Sequence, residues 1–82
     1  MAKFCYVIKD EAGIHARPAG ALAKLVKSRG SHVTITKGDK SIDITRLMAV
    51  MALGVKQGDE VTIESDDETM LEEVRQFFEE NL

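Results

Sequence analysis

The single proline of the chain, Pro18, constrains the fold more than any other residue. Proline has no backbone N–H, and an α-helix accommodates it only in the first turn, where that group has no carbonyl partner to lose. Ala19, Leu22, Ala23 and Val26 follow at helical spacing, which makes a core-facing stripe. The pattern predicts a helix from Ala16 to Lys27, closed by Ser28-Arg29-Gly30-Ser31 with Gly30 as its C-cap. His15 then falls at the N-terminal cap. The first-turn N–H groups point outward with the positive end of the helix dipole and favour an anion there. Arg17 adds a fixed charge and a forked donor. The stretch Gly13-Ile14-His15-Ala16-Arg17-Pro18-Ala19-Gly20 thus places a nucleophilic nitrogen where a phosphoryl group can be received and its charge held.

The remainder of the chain reads as scaffold. Phe4 to Ile8, rich in aromatic and β-branched residues, predicts a strand. Cys5, inside it and without a neighbouring basic residue, is expected to be a buried small thiol. His32 to Thr36 alternates apolar and polar residues, as do Ile42 and Ile44 around Asp43. Lys37-Gly38-Asp39-Lys40 joins the two as a hairpin. His32 has no ligand partner at metal-binding spacing and is expected to be an exposed strand-end residue.

Thr45 is expected to cap a short helix from Arg46 to about Leu53, stopped by Gly54. That helix is apolar nearly all round. Either a small protein buries it deeply, or Leu47, Met48 and Met51 form an exposed adhesive patch. Gln57-Gly58-Asp59 turns into a strand over Glu60 to Glu64. Ser65 and Glu68 have capping-box spacing before a last helix, whose Met70, Leu71, Val74, Phe77 and Phe78 are expected to bring both phenylalanines to the core. The order is βαββαβα. Alternating strands and three helices predict an α+β fold, a four-stranded antiparallel sheet with the helices on one face and water on the other.

Size and charge narrow the function. Eighty-two residues suffice for one small domain, residues 1–82, with no room for a second. No apolar run approaches the ~20 residues of a membrane span, and the N-terminus is too short and too soon charged to be a secretory signal, so a cytoplasmic protein is expected. The lone Cys5 fits a reducing compartment. A net charge of −3, with only Phe4 and Tyr6 as aromatics near a strand, weighs against nucleic-acid binding. Gly20, Lys24 and Lys27 share a helix face running from His15; it is either a plain solvated face or a guide for an acidic partner.

The segments Gly-Ile-His-Ala-Arg-Pro-Ala at Gly13 to Ala19 and Leu-Met-Ala-Val-Met-Ala-Leu-Gly-Val at Leu47 to Val55, in this order and spacing, resemble the HPr family. These are the histidine-containing phosphocarriers of the phosphoenolpyruvate-dependent sugar phosphotransferase system. The resemblance covers the whole chain. It implies an open-faced β-sandwich and a phosphoryl group carried on Nδ1 of His15. Arg17 is implied as the phosphate-binding arginine, with backbone N–H groups from Ala16 and Arg17. It also implies receipt from phosphorylated enzyme I, delivery to the enzyme IIA components of sugar permeases, and docking through Gly20, Lys24, Lys27, Leu47, Met48 and Met51. No cofactor or metal is implied, and a monomer is expected. Where many members carry a regulatory serine, this chain has Arg46, which offers no hydroxyl to the serine-directed kinase of the family, and Thr45 beside it is expected to be engaged as a cap. Two other functions fit the same fold: a regulatory protein-binding module that carries no phosphate, or a carrier in a regulatory relay not concerned with sugars. The pairing of His15 with Arg17 argues against a pure docking module, which has no use for an acceptor at a helix N-terminus.

Overall fold

The structure, a computed structural model, describes residues 2–82. Strand β1 (Ala2–Val7) is followed by helix α1 (Ala16–Arg29), the hairpin β2 (Val33–Lys37) and β3 (Lys40–Asp43), the short helix α2 (Leu47–Ala52), strand β4 (Glu60–Ser65) and helix α3 (Glu68–Asn81). The order is the expected βαββαβα. The four strands form one antiparallel sheet in the spatial order β1-β4-β2-β3.

Register sets which side chains meet the helices. Phe4 pairs with Ile63, and Ile63 with Ile35, which in turn pairs with Ile42. This row points towards the helices, because side chains alternate faces along each strand. The opposite row, Cys5, Thr62, Thr36 and Ser41, crosses the outer face, where Thr36 Oγ1 donates to Ser41 Oγ at 3.0 Å. Cys5 is therefore exposed, 3.5 Å from Thr62 Oγ1, and the expected burial is corrected. Strand parity sends Phe4 and Tyr6 inward and the residue between them outward.

One apolar core lies between sheet and helices, with Ile8, Leu22, Val26, Val33, Ile35, Ile63, Met70, Val74 and Phe78 among its buried members. Phe78 is its largest fully buried side chain. Its ring packs against those of Phe4 and Tyr6 at centroid distances of 6.0 and 5.3 Å and near-perpendicular planes, the T-shaped arrangement favoured by the ring quadrupole. The Tyr6 hydroxyl donates to the Phe78 carbonyl at 3.1 Å. Phe77, by contrast, is only partly buried; adjacent positions on a helix differ by about 100°, so both rings cannot face the same core.

Two caps differ from expectation. Asp67, not Ser65, is the N-cap of α3, its carboxylate accepting from the Met70 N–H at 3.1 Å. Ser65 is fully buried and donates to the His32 carbonyl at 2.7 Å while accepting from the Asp67 N–H at 3.1 Å. Strand pairing with Val33 holds Ser65 in the sheet, two residues too early to cap the helix. Asp67 also accepts from Ser31 Oγ at 2.7 Å, which ties the start of α3 to the end of α1. The bidentate Arg29–Glu73 pair makes a second tie between these helices.

At α2 the N-cap is Arg46, through its backbone. Thr45 lies outside the helix and gives both its N–H and its hydroxyl to Asp43 Oδ1, at 2.8 and 2.6 Å. The carboxylate of the preceding turn captures the hydroxyl that was expected to serve the helix. His32 is exposed as expected, and its Nδ1 stands 3.3 Å from the other oxygen of Asp43.

Candidate functional site

The loop before α1 is built on Gly13. Asp10 Oδ1 accepts from the Ala12 N–H at 2.8 Å and the Asp10 carbonyl from the Gly13 N–H at 2.9 Å, an Asx-type turn. Gly13 adopts φ +67°, a left-handed conformation that glycine reaches without steric cost. Ile14 is buried, and its N–H donates to the Val55 carbonyl at 3.1 Å. His15 thus leaves a loop anchored on both sides.

His15 is the N-cap residue of α1, with extended backbone (φ −113°, ψ −178°) and no side-chain hydrogen bond to the helix. The usual capping side chains consume a first-turn N–H; the imidazole leaves those donors free. The first intrahelical bond runs from the Ala19 N–H to the His15 carbonyl at 3.0 Å. Among the described residues the N–H groups of Ala16 and Arg17 have no backbone acceptor. Arg17 is exposed and enters no ion pair among the described residues. An imidazole, two free N–H donors and an unengaged guanidinium accordingly share the first turn of one helix. A tetrahedral anion attached to the ring would find donors already oriented for it. The Asp10 carboxylate, bound to the Ala12 N–H, is engaged in its own turn.

His15 is half-buried and lines a cleft of about 220 Å³ with Arg17, Pro18, Ala21, Phe77 and Asn81. Phe77 and Asn81, from the last turns of α3, were not legible as neighbours of the histidine. More than sixty residues separate them from it in the chain, they carry no motif, and Phe77 was expected in the core. Asn81 Nδ2 donates to the Phe77 carbonyl at 3.0 Å. Among the described residues no three His, Cys, Asp or Glu side chains gather to hold a metal ion.

The expected docking residues lie on α1 and α2, which pack against each other. Lys24 and Lys27 are exposed and Gly20 is half-buried. On α2 only Val50 is fully buried, whereas Leu47, Met48 and Met51 are 36, 78 and 39% exposed. Of the two readings left open for this helix, the exposed apolar patch is the one found. Arg46, also exposed, stands at its entrance.

Fold and site together define a class: a small α+β domain presenting one histidine at a helix N-terminus, with a short second helix that leaves apolar side chains exposed. The particular family follows from comparison, since the model for the phosphotransferase-system HPr family, described as "PTS HPr component phosphorylation site", matches residues 2–80. The chain belongs to the HPr family of phosphocarrier proteins. The phosphocarrier protein HPr of Mycoplasma capricolum is 44% identical over 66 residues, 80% of this chain and 74% of that protein. Among solved structures, a mycoplasma histidine-containing phosphocarrier protein is 37% identical, with a TM-score of 0.86 over 93% of this chain and 90% of that one. HPr-C-His from Thermoanaerobacter tengcongensis is 28% identical, with a TM-score of 0.88 over 96% and 92%. Among the described residues no helix is long and apolar enough to cross a membrane.

Proposed function

We propose that this chain takes a phosphoryl group from phosphorylated enzyme I onto Nδ1 of His15 and passes it to the enzyme IIA components of sugar permeases, as a monomer in the cytoplasm. The observation that carries the reading is the free first turn of α1, where His15 caps the helix without using its side chain. On receipt the unprotonated imidazole nitrogen attacks phosphorus while the bond from phosphorus to the donor breaks and the donor keeps that electron pair; on delivery the acceptor attacks and the His15 N–P bond breaks, its pair returning to the ring. The Ala16 and Arg17 N–H groups and the Arg17 guanidinium stabilise charge on the phosphoryl oxygens during the transfer and afterwards. No metal or cofactor is required of this chain.

Docking is assigned to Gly20, Lys24, Lys27, Leu47, Met48 and Met51. The lysines steer acidic surfaces, and the flexible methionines adapt to more than one partner. Intact-mass measurement after incubation with phosphoenolpyruvate and enzyme I tests the reading. One acid-labile phosphoryl group is expected on the wild type and none on His15→Ala. If the wild type gains none while a known HPr is phosphorylated in the same tube, the exposed α2 patch becomes the basis for the alternative, a regulatory binding module.

A further inference from the structure

Val33, Ile35 and Lys37 occupy alternate positions of β2, so Lys37 shares the parity of two fully buried residues and projects towards the helices rather than to the open face. A charge of that orientation needs partners, and Lys37 has three. Its Nζ donates to the carbonyl of Gly54 at 3.0 Å and of Leu53 at 3.5 Å, and pairs with Asp59 Oδ2 at 3.0 Å. Two-thirds of each side chain in the Lys37–Asp59 pair is withdrawn from water. Asp59 Oδ2 also accepts from the Lys56 N–H at 2.9 Å. One ammonium group therefore closes the segment from Leu53 to Asp59 into a brace, gripping the end of α2 at one side and the entrance to β4 at the other.

The opposite side of that brace carries the histidine loop. The Val55 carbonyl accepts from the Ile14 N–H at 3.1 Å, Gly58 N–H donates to the Ile8 carbonyl at 2.8 Å, and Ile8 N–H donates to the Asp59 carbonyl at 2.9 Å. Gln57 Nε2 reaches the Lys9 carbonyl at 3.1 Å. Every one of these bonds joins the brace to the chain between Ile8 and His15.

We infer that Lys37 is a positioning residue for phosphoryl transfer: by clamping Leu53, Gly54 and Asp59 it fixes the Val55 carbonyl on which the His15 loop hangs, and so sets the imidazole relative to the docking helix α2. The inference rests on the phosphocarrier reading for its kinetic consequence, and on geometry alone for its structural one. Lys37 does not touch the phosphoryl group, and it acts through the loop.

The test compares wild type, Lys37→Met, Lys37→Arg and Asp59→Asn as acceptors from phosphorylated enzyme I, at a temperature where circular dichroism shows each folded. Methionine keeps the aliphatic stem and removes the clamp. Lys37→Met is expected to lose about three- to tenfold in kcat with KM within about twofold, because misplacement by a fraction of an ångström acts on the reacting geometry and not on docking. Lys37→Arg is expected to recover at least half of the loss. In ¹H–¹⁵N spectra the His15 imidazole signals are expected to move in Lys37→Met and to stay near wild type in Lys37→Arg. That readout needs no phosphorylation, so it remains decisive if the wild type proves not to be a carrier. Asp59→Asn removes only the charge that pairs with Lys37 and is expected to move the imidazole signals in the same direction as Lys37→Met by a smaller amount, so it tests the inference if Lys37→Met does not fold. Unmoved imidazole signals overturn the inference, and so does a loss confined to KM, which would make Lys37 part of the docking surface.

Discussion

The carbonyl oxygen of Val55 occupies the space that a β-carbon on Gly13 would need, and the same oxygen receives the Ile14 N–H at 3.1 Å. A side chain at position 13 would also stand 2.8 Å from Lys56 Cα. The loop that carries His15 is thus closed against the α2–β4 connection by direct backbone contact. Gly13→Ala is expected to cost about 2–4 kcal/mol, from the left-handed backbone together with overpacking. Gly38 supplies the control, because it has nearly the same φ, +63°, with nothing within 4 Å of its missing β-carbon. Gly38→Ala is expected to cost only about 1–2 kcal/mol. Urea unfolding of the two variants measures the difference, and equal losses would mean that the contact with Val55 contributes nothing.

Arg17 makes no ion pair among the described residues, so its removal should leave stability within about 0.5 kcal/mol. A charge-assisted hydrogen bond to phosphate contributes about 1.5–3 kcal/mol. Arg17→Gln is accordingly expected to slow phosphoryl acceptance by roughly ten- to a hundredfold with an unchanged melting temperature. Stopped-time mass measurement reads the rate.

Among the described residues Met48 is the most exposed large apolar side chain, at 78%. Met48→Glu is expected to leave the fold intact and raise KM for enzyme I by roughly fivefold or more, since a charge would then be buried in an apolar contact. A fall in kcat with constant KM would place Met48 outside the interface.

Removing the Asp67 carboxylate deletes the α3 cap and its bond to Ser31 together. Asp67→Ala is expected to cost about 1–2 kcal/mol, a fall of roughly 4–16 °C in melting temperature for a domain of this size. Glu68→Ala should change stability by less than about 0.5 kcal/mol, because the cap does not use the capping-box partner. Calorimetry of the two variants separates these roles.

Three carboxylates titrate below the ordinary value of 3.8. Asp43 is held there chiefly by the Thr45 hydroxyl and N–H, Asp59 by the Lys56 N–H and by Lys37, and Asp67 by the Ser31 hydroxyl and the Met70 N–H. A carboxylate whose folded pKa lies below its unfolded one stabilises the fold fully above the unfolded value. That contribution is lost as pH falls through the folded value. The urea midpoint is therefore expected to hold steady, as far as these groups contribute, down to about pH 4 and to drop below it. Asp43→Asn with Asp67→Asn should flatten the acid limb.

Local signals were legible where one residue type has one use. Pro18 dated the helix start, Gly30 closed it in a left-handed conformation at φ +67°, and the hairpin turned at Gly38 and Asp39, between the paired Lys37 and Lys40. Caps were less legible because serine, threonine and aspartate compete. Ser65 belongs to the sheet and Thr45 to Asp43, and the choice depends on partners far away in the chain. Cys5 was misplaced because its burial turns on strand parity, which Phe4 and Tyr6 together define. The histidine and arginine of the site were visible in seven consecutive residues. The wall formed by Phe77 and Asn81, and the support from Val55, exist only once α3 and the α2–β4 connection have folded against the loop.

His15 is only half-buried, so solvent reaches it across the cleft that it lines with Phe77 and Asn81. A phosphoryl group on its ring would be held by donors on one side and bathed by solvent on the other. Its lifetime between encounters would be set by intrinsic hydrolysis, and shielding would come from the surface of whichever partner arrives. Relay fidelity would then depend on how often carrier and acceptor collide, so abundance in the cell would matter as much as the chemistry of the site.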